Sequence, residues 1–358
     1  MDKAAATLQT VNTPAVLVDL DIARRNIERF QAYADAHGLK VRPHIKTHKL
    51  PAVAEMQLRA GAVGITCQKV SEAEAMVAGS PEIRDVLITY NILGTEKLEH
   101  LAALARNVTL SVVADSDAVI EGLSAAFAAE PAPLRVLVEC NTGADRCGVP
   151  TPEAAATLAQ RIAKAPGLVF GGLMTYPPAN GAAAVESFMT RAKVFIEAAG
   201  IAVPVITSGG TPSMMHAAEA PVTSEYRPGT YVYNDRSLVS RGVCGWDDCA
   251  LTVLATVVSV PAANRAIIDA GSKALTSDLL GLTGHGHVLT RDDIAIDQLS
   301  EEHGRLVSEG PINLKVGDKL RIVPNHACVV TNMVDAVHIV EKGELTGLWP
   351  VAARGRIV

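Results

Sequence analysis

The sequence predicts a (β/α)8 barrel of the TIM type followed by an all-β domain that also takes the N-terminal strand. Three observations carry this prediction. Across roughly residues 20–240, eight short apolar strand segments alternate with Ala-rich helical segments, the pattern of a parallel barrel. Beyond about Cys249 the helical period stops, and β-branched runs separated by Gly- and Pro-containing turns take over. Unusual polar stretches also recur at the carboxyl ends of the predicted barrel strands, where such barrels keep their chemistry.

Taken in order, Thr13–Leu20 reads as a strand, and Asp21 is expected to cap a helix whose apolar residues Ile22, Ile27 and Phe30 recur at helical spacing. The barrel strands are expected near Leu39–Pro43, Val63–Gln68, Asp85–Thr89, Thr109–Ala114, Arg135–Glu139, Leu168–Thr175, Val205–Thr207 and Val222–Tyr226. Helices are expected between them, near Pro51–Arg59, Ser71–Ala78, Thr95–Leu104, Asp117–Ala129, Pro152–Lys164, Ala182–Ala199 and Pro212–Ala218. Strands near Leu251–Val260, Arg265–Asp269, Lys319–Val323 and Ala336–Glu341 build the second domain, with Thr276–Glu309 as an irregular excursion. The expected division is a barrel over 20–240 and a β domain from 1–19 plus 241–358.

Composition narrows the function. With 49% hydrophobic residues, a net charge of −6 and no apolar run of membrane-spanning length, the chain reads as a cytoplasmic enzyme-sized protein without a secretory leader. The six cysteines are scattered and form no Cys-x-x-Cys pair, which argues against a disulfide framework or a zinc ribbon. Basic residues form no long block and do not interleave with aromatics, so nucleic-acid binding is not expected.

The strand-end residues are specific. Lys46 stands in the turn Pro43-His44-Ile45-Lys46-Thr47-His48-Lys49 after the first barrel strand. Crowded by cations and partly desolvated, a lysine there can lose its proton near neutral pH and attack a carbonyl carbon; the alternative is a solvated lysine beside solvated histidines. Gln68 and Lys69 follow the second strand, Asn91 the third, Asn141 to Arg146 the fifth and Tyr176 the sixth. Ser208-Gly209-Gly210-Thr211 follows the seventh and Arg227-Pro228-Gly229-Thr230-Tyr231 the eighth. Two glycines, a hydroxyl and the start of a helix can hold an anion, although a Gly-rich turn can also be only a turn. Far downstream, His326 and Cys328 are two apart, so on a strand they would share a face and offer an imidazole and a thiolate to one metal ion; a buried histidine beside a core thiol fits the same spacing.

Together, Arg42-Pro-His-Ile-Lys46-Thr-His-Lys, Cys67-Gln-Lys-Val-Ser-Glu, Arg146-Cys-Gly-Val, Ser208-Gly-Gly-Thr, Pro228-Gly-Thr-Tyr and His326-x-Cys328 resemble, end to end and in the same order, the D-threonine aldolase and D-serine dehydratase group of alanine-racemase-fold enzymes. The resemblance implies pyridoxal 5'-phosphate on Lys46, with His44 beside it as a catalytic candidate. Arg146 would meet the cofactor's phenolic oxygen, and Gly209, Gly210, Thr211, Gly229 and Thr230 would cradle its phosphate. Gln68, Tyr176, Ser208 and Tyr231 are further cofactor contacts, and Arg227 would face the pyridine nitrogen, a place where the group varies. It also implies a divalent ion (Zn, Mn or Mg) on His326 and Cys328, a homodimer, and small D-amino acids as substrates.

The expected activity is a lyase on D-β-hydroxy-α-amino acids, first as a D-threonine aldolase giving glycine and an aldehyde. The alternative is a D-serine or 3-hydroxy-D-aspartate dehydratase giving a 2-oxo acid and ammonia, because the aldolases resemble His-x-Asp at the metal pair and tend to carry histidine where this chain has Pro177. A non-catalytic pyridoxal-phosphate carrier would lack the second domain. A racemase would need a second-domain tyrosine as base, and no tyrosine follows Tyr233.

Overall fold

The computed structural model describes residues 8–358, which divide into two compact units. One comprises Glu28–Lys46, Pro51–Gly229 and Arg356–Val358; the other takes the chain up to Ile27, Thr47–Leu50 and Thr230–Gly355.

Strand β1 (Ala15–Asp19) runs into helix α1 (Leu20–Ala36). The helix is capped by Asp19, not Asp21: Asp19 Oδ1 accepts from the backbone N–H of Asp21 and Ile22 at 3.0 and 3.1 Å, pairing donors that the first helical turn leaves open. Its buried stripe is Ala23, Ile27, Phe30 and Ala34, at helical spacing.

The first unit holds strands β2 (Lys40–Val41), β3 (Ile65–Cys67), β4 (Asp85–Ile88), β5 (Thr109–Ala114), β6 (Leu134–Cys140), β7 (Leu168–Thr175), β8 (Ile206–Gly209) and β9 (Glu225–Arg227). Between them lie helices α2 (Pro51–Arg59), α3 (Val70–Gly79), α4 (Thr95–Ala105), α5 (Asp117–Phe127), α6 (Pro152–Lys164) and α7 (Ala182–Ala198). The eight strands form one sheet in the order β2-β9-β8-β7-β6-β5-β4-β3. The ring is completed by a parallel bridge between His44 and Thr66, with Thr66 N–H on Pro43 O at 2.8 Å and Val63 N–H on Val41 O at 2.9 Å. Leu87, Val113, Leu137 and Met174, on four successive strands, make an apolar cluster. The two-residue β2 is reinforced by Arg42, whose buried guanidinium donates to Glu225 at 2.9 Å and to Asp85 at 2.6 Å. The predicted helix at Pro212–Ala218 is a 3-10 helix over Thr211–Glu219.

The second unit is built on β10 (Leu251–Ala262), which pairs antiparallel with β1, with β11 (Arg265–Ile268) and with β15 (Lys319–Val323). β1 also pairs in parallel with β16 (Ala336–Glu341), so the N-terminal strand lies inside this sheet as predicted. Val11, Ala15, Leu17, Leu254 and Val340 form one of its apolar clusters.

Three expectations for this unit are corrected. The stretch Thr276–Glu309 is not irregular throughout: it contains β12 (His287–Val288) and the hairpin β13 (Ala295–Leu299) with β14 (Gly304–Val307). A last strand, β17 (Glu344–Pro350), pairs with β16 and was not foreseen. His326 and Cys328 are not on a strand. His326 is the N-cap of a short helix over Ala327–Met333, because Pro324 ends the preceding strand.

Candidate active site

In the barrel unit Lys46 sits in a 3-10 turn, Ile45–Thr47, directly after the first strand. Among the described residues its ammonium has no hydrogen-bond or ion-pair partner. His44 is held from both ring nitrogens: Nδ1 accepts from the Lys46 backbone N–H at 3.4 Å, so Nε2 carries the proton and donates to Gln68 Oε1 at 3.0 Å. Gln68 is fixed in turn, its Nε2 donating to Thr89 O at 3.0 Å and its backbone N–H to Glu72 at 2.6 Å. His44, Lys46 and Gln68 are therefore one connected group, whereas Lys69 is turned away, its ammonium 3.7 Å above the Tyr90 ring.

Arg146 projects from a loop pinned by Asn141, whose Oδ1 accepts from Gly143 and Asp145 N–H at 2.9 and 3.2 Å. Its guanidinium lies 4.6 Å over the Tyr176 ring, which joins two of the predicted cofactor contacts. Ser208 and Gly209 end β8, and Gly210 follows at φ +123°, a conformation that favours glycine. A Cβ on Gly209 would meet Arg227 O at 2.7 Å, and one on Gly210 would project toward the Tyr176 ring, 3.7 Å away. The Gly229 N–H donates to Thr211 Oγ1 at 3.3 Å, so the two glycine turns predicted to form the phosphate cradle are hydrogen-bonded to each other. Gly210 N–H meets Arg227 O at 3.4 Å, so a phosphate held here would draw on the Thr211 hydroxyl and compete with Thr211 for the Gly229 N–H.

Arg227 is buried, and both its terminal nitrogens are engaged, Nη1 with Thr207 Oγ1 at 2.6 Å and Nη2 with Thr175 O at 2.8 Å. Burial lowers its pKa to about 10, against the opposing charges of Glu225 and Glu139.

Sequence reasoning passed over Glu139, which is buried near the end of β6. Burial raises its carboxyl to about 7, Asp115 adds to the effect, and Arg146 and Arg227 oppose it. Asp115, Glu139 and Cys147 bring ligand atoms within 4.8 Å of one another. The two arginines that act on Glu139 disfavour a cation there.

In the second unit, Cys328 Sγ lies 3.1 Å from Thr47 Oγ1 and 3.6 Å from Thr230 Oγ1. Thr47 is the residue after Lys46 in the chain, and Thr230 turns its hydroxyl to the thiol. Tyr231 is buried in the 3-10 turn that Thr230 opens. His326 Nδ1 meets Asp278 Oδ2 at 2.7 Å. Burial lowers the imidazole's pKa, but the neighbouring Cys328 thiol, Asp278 and Asp235 outweigh it and carry it up to about 9. A nitrogen and a sulfur donor side by side suit a borderline divalent ion such as zinc. Asp278 was missed because nothing local marks a residue 48 positions away.

A parallel barrel with Lys46 in the turn after its first strand, together with a β-rich second unit, has the make-up of the alanine-racemase fold, a fold of pyridoxal-phosphate enzymes. Residues 18–237 match the family profile described as "Alanine racemase, N-terminal domain", and residues 250–340 match "Putative serine dehydratase domain". The chain is 35% identical to the 3-hydroxy-D-aspartate aldolase of Paracoccus denitrificans (strain Pd 1222), covering 97% of this chain and 93% of that protein. It is also 35% identical to the D-threonine aldolase of an Arthrobacter species, over 97% and 94% of the two chains. Among solved structures, D-threonine aldolase from Filomicrobium marinum superposes with a TM-score of 0.91 at 34% identity, over 98% of each chain. D-threo-3-hydroxyaspartate dehydratase from Delftia sp. HT23 does so with 0.85 at 30%, over 96% and 98%. A cysteine-to-alanine variant of a D-threo-3-hydroxyaspartate dehydratase has been solved in a metal-free form. The chain belongs to this alanine-racemase-like family of lyases. Among the described residues, no helix is long and apolar enough to cross a membrane.

Proposed function

We propose that the chain is a pyridoxal-phosphate- and divalent-metal-dependent lyase that cleaves D-β-hydroxy-α-amino acids to glycine and an aldehyde. The observation that carries this reading is the 35% identity, over 97% of the chain, to two aldolases of such substrates, joined to a lysine with an uncommitted ammonium at the barrel mouth. Pyridoxal phosphate, when bound, supplies an electron sink for the pair left at Cα when a bond there breaks. Lys46 would hold it, the turns at Gly209–Thr211 and Gly229–Thr230 would take its phosphate, and Arg146 and Tyr176 would border it.

The residues' own work follows from their geometry. The His44–Gln68 hydrogen bond fixes the turn that presents Lys46, so the amine approaches from one face. Cleavage requires the β-hydroxyl to lose its proton, the Cα–Cβ bond to break and Cα to regain a proton. His326 and Cys328 would hold a divalent ion, whose Lewis acidity would favour the deprotonated hydroxyl. The reading includes a cytoplasmic homodimer, as the family resemblance implies.

Dehydration is the second reading, favoured by Cys328 where aldolases resemble aspartate and by Pro177 where they tend to carry histidine. It would remove the Cα proton and expel the hydroxyl, giving a 2-oxo acid and ammonia. Product analysis with D-threonine, D-serine and 3-hydroxy-D-aspartate decides. Glycine plus aldehyde supports cleavage; 2-oxo acid plus ammonia from all active substrates replaces it with dehydration.

A further inference from the structure

We propose that Asp278 is a positioning residue for His326: it fixes the imidazole with Nδ1 as donor and reserves Nε2 for the metal. This rests on reading His326 and Cys328 as the metal pair. The carboxylate can only accept, so at 2.7 Å from Asp278 Oδ2 the Nδ1 atom must carry a proton, and the nitrogen that can exchange its proton for a cation is Nε2. Metal-binding histidines commonly donate their second ring N–H to such a carboxylate, which sets the tautomer and the ring's orientation.

Asp278 is itself held at both its backbone N–H and its carbonyl. Its N–H donates to Thr276 Oγ1 at 3.1 Å, and its carbonyl accepts from Asn325 Nδ2 at 3.2 Å. Asn325, the buried residue before His326, also donates to Gly284 O at 2.8 Å and accepts from Arg236 Nη1 at 3.0 Å. Arg236 reaches Thr283 O at 2.9 Å, so the segment that carries Asp278 is tied at both ends to the backbone that carries His326. Asp235 Oδ2 accepts from the Ala327 N–H at 3.1 Å and fixes the peptide between the two ligands. This separates the pair from His100–Glu74 and His216–Glu219, which have the same 2.7 Å distance but join exposed side chains, the first between two helices and the second within one.

The test is the Zn2+ dissociation constant of metal-stripped, full-length holoprotein, measured by competition with a chromogenic chelator. Asp278→Ala is expected to weaken binding by about 10–100-fold. Asp278→Asn, whose amide oxygen still accepts from Nδ1, should stay much closer to wild type, and His326→Ala should lose the tight site. Histidine 15N spectra of the zinc-loaded wild type should place the metal on Nε2 of His326. Wild-type affinity in Asp278→Ala, or metal on Nδ1, overturns the inference while leaving the metal pair standing. Wild-type affinity in His326→Ala removes the metal-pair reading, and the inference falls with it.

Discussion

The Lys49 ammonium donates to Asn332 Oδ1 at 2.7 Å, whereas Lys46, three positions earlier, has no such partner among the described residues. Lys69 is also occupied, against the Tyr90 ring. Of the lysines at the two neighbouring strand ends, only Lys46 therefore has an amine not already engaged. Lys46→Ala is expected to lose the visible absorption band of the bound cofactor, and Lys49→Ala to keep it. A retained band in Lys46→Ala, with cofactor still reducible onto the chain, would reassign the attachment.

A strict preference for D over L substrates follows from one amine reaching the cofactor from one face, with the hydroxyl held from a fixed direction. Chiral chromatography of a DL-threonine mixture should show the D enantiomer disappearing and the L enantiomer untouched. Comparable consumption of both would rule out the proposed arrangement.

Arg42 offers a stability test. Its buried guanidinium answers two carboxylates, Glu225 at 2.9 Å and Asp85 at 2.6 Å, and so secures the two-residue β2 from which the Lys46 turn departs. Removing one member of a buried ion pair leaves uncompensated charge and costs about 3–5 kcal/mol. Arg42→Met should lower the urea midpoint accordingly and reduce cofactor occupancy in parallel. An unchanged midpoint would show that the pair contributes nothing to closing the barrel.

Glu139 predicts a pH effect. Its carboxyl is raised from an ordinary 4.5 to about 7, chiefly by burial. Between those values the folded chain keeps a proton that the unfolded chain releases, so this group lowers stability as pH rises, and the full penalty is present above 7. Glu139→Gln should therefore be more stable than wild type at pH 8, by about 1–3 kcal/mol, with the advantage fading toward pH 4. Urea unfolding of both proteins without cofactor across this range checks it; parallel pH profiles would refute the raised value.

The barrel was legible because its strands are short runs of β-branched and apolar residues bounded by turn signals. Thr109–Ala114 and Leu168–Thr175 have the bounds the pattern indicates. The His326 region was misread because Val329, Val330 and Thr331 look like strand, while the helix there is fixed by tertiary hydrogen bonds such as that of Ala327 N–H to Asp235. The hairpin of Ala295–Leu299 with Gly304–Val307 was hidden by charge: Arg305 and Asp297 pair across it at 2.9 Å, which reads locally as loop polarity. Lys46 could be found from the sequence because its setting is local. The settings of Asp278 and Glu139 could not, because they come from burial and from partners far along the chain.

The most direct measurement is the stoichiometry of D-threonine consumption by metal-loaded holoprotein, before and after chelation. Cleavage on a metal-assisted site predicts one glycine and one acetaldehyde per D-threonine, loss of turnover with chelator, and recovery on adding Mn2+ or Zn2+. Formation of 2-oxobutanoate and ammonia in place of glycine, or turnover that chelation leaves untouched in protein free of metal, would contradict it.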